Sequence, residues 1–303
     1  MPPISDSSAN IRAAGFMLAA QVAFVANDSM VKVMAQSLSI PQIMAVRGCF
    51  ATMLLLLFAW YRGALRSPRL FFQRNVVLRT VGDTGTTFTY IGALALLPIA
   101  NVSAIYQALP LVLTLAVALL YGEPVGWRRW SAIAVGFAGI LIIVRPGPES
   151  FSLGSLLVLA AVLSSTLRDL AMRGVPPMVP SVLVCVATSA AVTIAGAVTV
   201  PLAGWSSMSA AEIGMMVPSG LLLAIGYIFF VEATRAGDVG FVAPFRYAVL
   251  VFSIVSGIVV FGDFPSSIML LGAGIVVASG LYTLYRERML RVRAAAAAAG
   301  PTA

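Results

Sequence analysis

Ten apolar stretches follow one another almost from end to end of this chain, at residues 11–35, 42–61, 76–97, 99–121, 127–144, 153–172, 181–202, 211–233, 241–261 and 267–285. A helix needs about 20 residues to cross about 30 Å of hydrocarbon, and each stretch is near that length. In lipid a spanning backbone must pair its own amides and carbonyls, which open helical runs of this kind do and irregular chain does not. Hydrophobic residues make up 60% of the 303 and charged residues 10%, more apolar surface than a water-soluble chain of this size can hide. The predicted fold class is therefore an all-α polytopic membrane protein.

The arginines give it an orientation. Arg62, Arg66, Arg69 and Arg74 occupy the second connection, Arg128 and Arg129 follow the fourth, Arg173 lies in the sixth, Arg235 in the eighth, and Arg286, Arg288, Arg291 and Arg293 follow the last span. The odd connections offer Arg145 alone, beside Glu149, Glu212 and Asp263. By the positive-inside rule the even connections and both termini are cytoplasmic, in a multi-pass protein of the bacterial cytoplasmic (inner) membrane. The net charge of +8 is then anchorage against anionic lipid and not a nucleic-acid footprint. Membrane lipids are expected partners; nucleic acid is not.

Several chemistries are excluded by residue type. The chain has no histidine, which removes the usual proton shuttle, most metal sites and any Ser-His or Cys-His nucleophile. Cys49 and Cys185 lie in separate spans without metal-ligand spacing and read as buried free thiols. Thr80-Val81-Gly82-Asp83 lacks the first glycine of an intramembrane aspartyl-protease motif, and no ATP-binding loop is present. No catalytic residue, metal or cofactor is expected, and no acidic ring points to a channel.

The chain divides at 146–152, a connection with two prolines and a glycine, into a lead (1–10), a first five-helix repeat (11–145), a second (153–285) and a tail (286–303). Five crossings per half mean that the halves enter the membrane from opposite sides, so a shared fold is an inverted repeat around a central cavity. A register of 140 residues lays Tyr121-Gly122-Glu123 over Phe261-Gly262-Asp263. Asn27-Asp28-Ser29-Met30-Val31-Lys32, then Pro41-Gln42 and Arg47, and later Pro110, Tyr121-Gly122-Glu123, Trp130 and Gly136 to Gly139, resemble in order the drug/metabolite transporter superfamily in its EamA-type branch. That resemblance implies ten helices in two inverted EamA-like repeats, a central substrate cavity and export of small metabolites, with amino-acid and aromatic amino-acid exporters as precedent. Asp263 stands where the family has glutamate. Leu250 stands opposite Pro110, and Pro244 six residues earlier places the second kink at a different depth.

Charge inside a bilayer costs at least about 2.5 to 3.5 kcal/mol on insertion scales, so each buried charge needs a partner or a wet cavity. Asp28 and Lys32 share a face of the first helix, and Arg47 lies at a similar depth on the second, either as an ion cluster lining the path or as a clasp between helices. Arg79 and Asp83, Arg168 and Asp169, Glu232, and Arg246 lie toward the cytoplasmic side. They read as an inner gate that exchanges partners, against the alternative that Arg168 and Glu232 snorkel to the headgroups. Asn27, Tyr90, Tyr106, Gln107 and Tyr247 are candidates for the cavity wall, with packing as the alternative role. Pro110 and Pro244 are kinks whose freed carbonyls accept a substrate ammonium. Ala132, Gly136 and Gly139, with Gly272, Val276 and Gly280, form small-residue faces that would cement the repeats or a homodimer. The expectation is a secondary transporter exporting small-molecule substrates, amino acids first, with nucleosides, flavins and drug-like amphiphiles as alternatives.

Overall fold

The computed structural model describes residues 7–64, 68–122, 126–144, 152–176, 178–236 and 239–298. Arg66, Glu123, Arg145, Glu149, most of the 146–152 connection and the outer ends of the lead and tail lie outside them. Among the described residues every regular element is helical. The main ones are α1 (Ser7–Met34), α2 (Ile40–Tyr61), α3 (Arg74–Leu96), α4 (Ile99–Tyr121), α5 (Trp127–Val144), α6 (Leu153–Arg173), α7 (Ser181–Ala203), α8 (Ala210–Ala236), α9 (239–261) and α10 (Ser267–Ala298). Nine of these are long and apolar enough to cross a membrane. The exception is α3, whose apolar content is diluted by Arg79, Asp83 and a run of threonines. Large apolar side chains such as Leu57, Leu119, Leu163, Ile194 and Val259 point outward, as a lipid solvent permits and water does not.

Helix ends follow local chemistry. Ser152 opens α6 by accepting a hydrogen bond from the Ser155 amide, and Gln73 opens α3 by accepting one from Val76. Gly122 and Gly262 close α4 and α9 at φ +64° and +68°, a left-handed cap that glycine adopts without strain. The two glycines are 140 residues apart. That same shift carries Ile99–Tyr121 onto 239–261 and the start of α5 onto Ser267, so the punctuation read from sequence recurs along the fold.

The kinks follow the same register. Pro110 has no amide to give the Tyr106 carbonyl, and α4 breaks into Ile99–Tyr106 and Leu109–Tyr121 around Gln107 and Ala108. In α9 a 3-10 turn, Ala243–Tyr247, surrounds Pro244 and ends opposite Gln107 in the 140-residue register. The expectation of a second kink at another depth is thus corrected. The prolines differ in position, but the 3-10 turn of α9 carries its break from Pro244 to Tyr247, where the two coincide.

Packing is exchanged by the same operation. The pair α1 with α8 matches α6 with α3, α2 with α8 matches α7 with α3, and α4 with α6 matches α9 with α1. The pairs α2 with α7, α4 with α9, and α5 with α10 map onto themselves. A bundle of two five-helix halves related by a twofold exchange produces this list. The small-residue faces of α5 and α10 meet each other: a Cβ on Gly139 would lie 3.0 Å from the Gly272 carbonyl oxygen, and Ser279 Oγ donates to the Ala132 carbonyl. That seam is spent within one chain and leaves neither face for a homodimer. Cys185 is buried as expected, whereas Cys49 points outward on α2, and no disulfide joins them.

Overpacking a close helix contact costs about 1 to 3 kcal/mol. Gly139→Ile therefore lowers the thermal midpoint of the detergent-solubilised protein by several degrees, whereas Gly274→Leu, at a site with open space around it, leaves it within a degree or two.

Candidate functional site

Polar side chains carried by seven helices form a column through the bundle interior. The termini and the even connections share one face, here the termini face, and the odd connections share the opposite face. Toward the opposite face, Arg47 Nη1 donates to Asn27 Oδ1 at 3.0 Å, and Asn27 Nδ2 donates to Asp28 Oδ1 at 3.0 Å. One amide thus holds a cation and an anion apart. Ser219 Oγ on α8 also donates to Asn27 Oδ1, at 2.8 Å, and Tyr90 OH donates to Asp28 Oδ2 at 3.0 Å. Arg47 is 4% exposed and its Nε has no hydrogen-bond partner. Asp28, nearly two turns from the end of α1, stays half-buried.

The middle of the column is aromatic. Tyr90 and Tyr106 meet edge to face with ring centroids 5.1 Å apart, a favoured quadrupole arrangement. Tyr106 OH hydrogen-bonds Ser165 Oγ at 2.6 Å, and Ser165 hydrogen-bonds Thr86 Oγ1 at 2.9 Å. Gln107, at the α4 break, is 9% exposed with an Nε2 that finds no acceptor. Tyr90, Tyr106 and Tyr227 are all half-buried despite their interior position, so they border open space rather than a sealed core.

Toward the termini face, Arg168 bridges two carboxylates, donating from Nη1 to Asp83 at 3.0 Å and from Nε to Asp169 at 2.8 Å. Gly82 permits this: a Cβ there would lie 2.8 Å from the Arg168 amide nitrogen and the Ser164 carbonyl oxygen, so only glycine lets α3 approach α6 so closely. Arg79 turns to α7, donating from Nη1 to Thr188 Oγ1 at 2.6 Å, instead of pairing with Asp83 one turn away.

Other predicted residues stand apart from the column. Lys32 does not join Asp28; its Nζ donates to the Leu94 and Leu97 carbonyls at 3.1 and 2.5 Å, capping the end of α3, and lies 5.4 Å from the Phe261 ring centroid. A lysine at a helix C-terminus is favoured by the exposed carbonyls there. Glu232 pairs with Arg62 at 2.8 Å on the termini face, where both are partly exposed and the pair contributes little. Arg246 sits over the Phe230 ring at 5.3 Å, and Tyr247 is buried against Gly280 with an unpaired hydroxyl.

Sequence reasoning passed over Tyr227, Ser165, Ser219 and Thr188, because uncharged residues carry no insertion cost large enough to notice. The one available signal was positional: the 140-residue register lays Tyr227 over Thr87 and Thr188 over Gly48, both on interior faces. It also passed over Gln42, fully buried, whose amide makes a two-way clamp on Ser206, donating to its carbonyl at 2.8 Å and accepting from its amide at 3.0 Å. With Ser39 on the Gly204 carbonyl and Ser37 on Glu212, this fastens the α7–α8 connection over the opposite face.

Comparison with known proteins agrees with this architecture. Residues 11–145 match the model of the EamA-like transporter family. The S-adenosylmethionine uptake transporter of Rickettsia felis is 26% identical over 90% of this chain and 92% of its own. The riboflavin transporter of Rhizobium johnstonii is 30% identical over 72% of this chain and 71% of its own. A crystal structure at 20% identity superposes with a TM-score of 0.60 over 92% of this chain and 98% of that one, which speaks for the fold alone. A ten-helix bundle with twofold packing, a polar column in its interior and relatives of this kind place the chain in the EamA-like family of the drug/metabolite transporter superfamily, as a multi-pass membrane transporter.

Proposed function

We propose that the protein is a secondary carrier for small metabolites with an amino-acid head group, moving them by alternating access, with net flow outward for those the cell makes. The observation that supports this most is the Asn27 amide standing between Arg47 and Asp28. A half-buried acid and a buried base kept from direct contact offer an ammonium and a carboxylate one partner each, and Arg47 Nε is still free to donate. Beside them Tyr90 and Tyr106 present aromatic surface and Gln107 an unused amide. The relative named for S-adenosylmethionine uptake is named for a molecule with both an amino-acid head and a purine.

A neutral flat heterocycle is the second reading, favoured by the aromatic pair and by the relative named for riboflavin. In this proposal the protein lies in the cytoplasmic membrane with its termini inside, the repeats span 11–145 and 153–285, and the Asp83–Arg168–Asp169 triad works as the inner gate. Catalysis has no place in it.

A counterflow screen in liposomes containing only this protein tests the substrate class: aromatic amino acids and S-adenosylmethionine exchange, and Arg47→Gln raises their KM about 10- to 100-fold, the size of a lost charge-assisted bond. Exchange of riboflavin or nucleosides without amino acids would replace the first reading by the second. For the triad, removing one partner of a buried pair costs about 3 to 5 kcal/mol. Arg168→Gln, which strands two acids, therefore lowers the thermal midpoint sharply, and adding Asp83→Asn recovers part of the loss.

A further inference from the structure

We infer that transport by this protein is electroneutral and independent of protons, so that direction is set by the substrate gradient alone. The inference rests on the reading of the site as one for zwitterions, and its argument is a balance of charges. In the upper part of the column Arg47 and Asp28 cancel across Asn27. In the lower part Asp83 and Asp169 face Arg168, and Arg79 lies on the same side against Thr188, so two acids stand with two bases.

The groups packed around Asp28 add nothing further. On α1 they are Asn27 and Ser29, on α3 Tyr90, on α8 Ser219 acting through Asn27, and on α9 Ser256, which hydrogen-bonds Ser29 at 2.6 Å. Lys32 is turned away toward the end of α3, where Asp263 is its electrostatic neighbour. Arg62 and Glu232 balance at the termini face, and Arg246, over the Phe230 ring with no acid beside it among the described residues, stands outside the column and is not part of this balance.

A column that cancels its own charge needs no accompanying ion when empty, because its reorientation buries no surplus charge. A bound zwitterion adds one charge of each sign and preserves the balance. A site built on a lone acid would behave differently. It would require a proton or metal cation on the return step, and that ion would couple flux to the membrane potential.

The test uses the full chain in proteoliposomes, with radiolabelled phenylalanine as the zwitterionic probe and the potential clamped by potassium and valinomycin. Counterflow of phenylalanine at zero potential checks the underlying reading; its absence would remove the zwitterion site itself. Given counterflow, the inference expects equal accumulation at 0 and −100 mV and with or without a pH gradient of one unit. One co-transported charge would change accumulation about 50-fold per 100 mV. A response of that size, or accumulation driven by the pH gradient, overturns the inference while leaving the substrate class intact.

Two variants give a readout that a merely structural role would not move. Asp28→Asn leaves a positive surplus and shifts preference toward the anionic desamino analogue, phenylpropionate. Arg47→Gln shifts it toward the decarboxylated amine, phenethylamine. Variants that still prefer the zwitterion would also count against the balance.

Discussion

Charge is tolerated in hydrocarbon only when something answers it, and that single constraint arranges this bundle. Helices satisfy the backbone, so the remaining expense is in side chains. The interior acids and bases are accordingly gathered onto α1, α2, α3 and α6 and turned inward, while leucine, valine and isoleucine cover the outside. The least apolar helix, α3, touches α6, α7 and the column at once. Its polar face would be untenable toward lipid and is turned to the column, while Val77, Val81 and Leu96 face outward.

The two ends of the column solve the same problem in different ways. Near the termini face Arg168 contacts its acids directly, which ties the cation to its own carboxylates in a fixed geometry. Near the opposite face an asparagine intervenes, and the pair keeps unused hydrogen-bonding capacity. Direct pairs suit a contact that closes the path. Separated pairs suit a place where a solute is received.

Much of the architecture was legible because its signals are coarse. Span length and the glycine that closes the fourth and ninth helices act through solvation and backbone geometry, and these leave marks in a single sequence. Which charges would meet was less legible. Asp28 and Lys32, four residues apart on one helix, look like partners, yet the open carbonyls at the end of α3 draw Lys32 away. Arg79 and Asp83 have the same spacing, and Thr188 on α7 takes Arg79 instead. Side-chain choice there depends on what a neighbouring helix brings within reach, and helix neighbours are set by the twofold packing rather than by spacing along the chain. Gln42 was illegible for the opposite reason: its partner is main chain, which has no residue identity to read.

The α5–α10 seam has a mechanical consequence. Backbone meets backbone at Gly139 and Gly272, and neither helix supplies a group to the polar column. Such a joint has little room to slide, so it couples the two halves as a spine couples the leaves of a book.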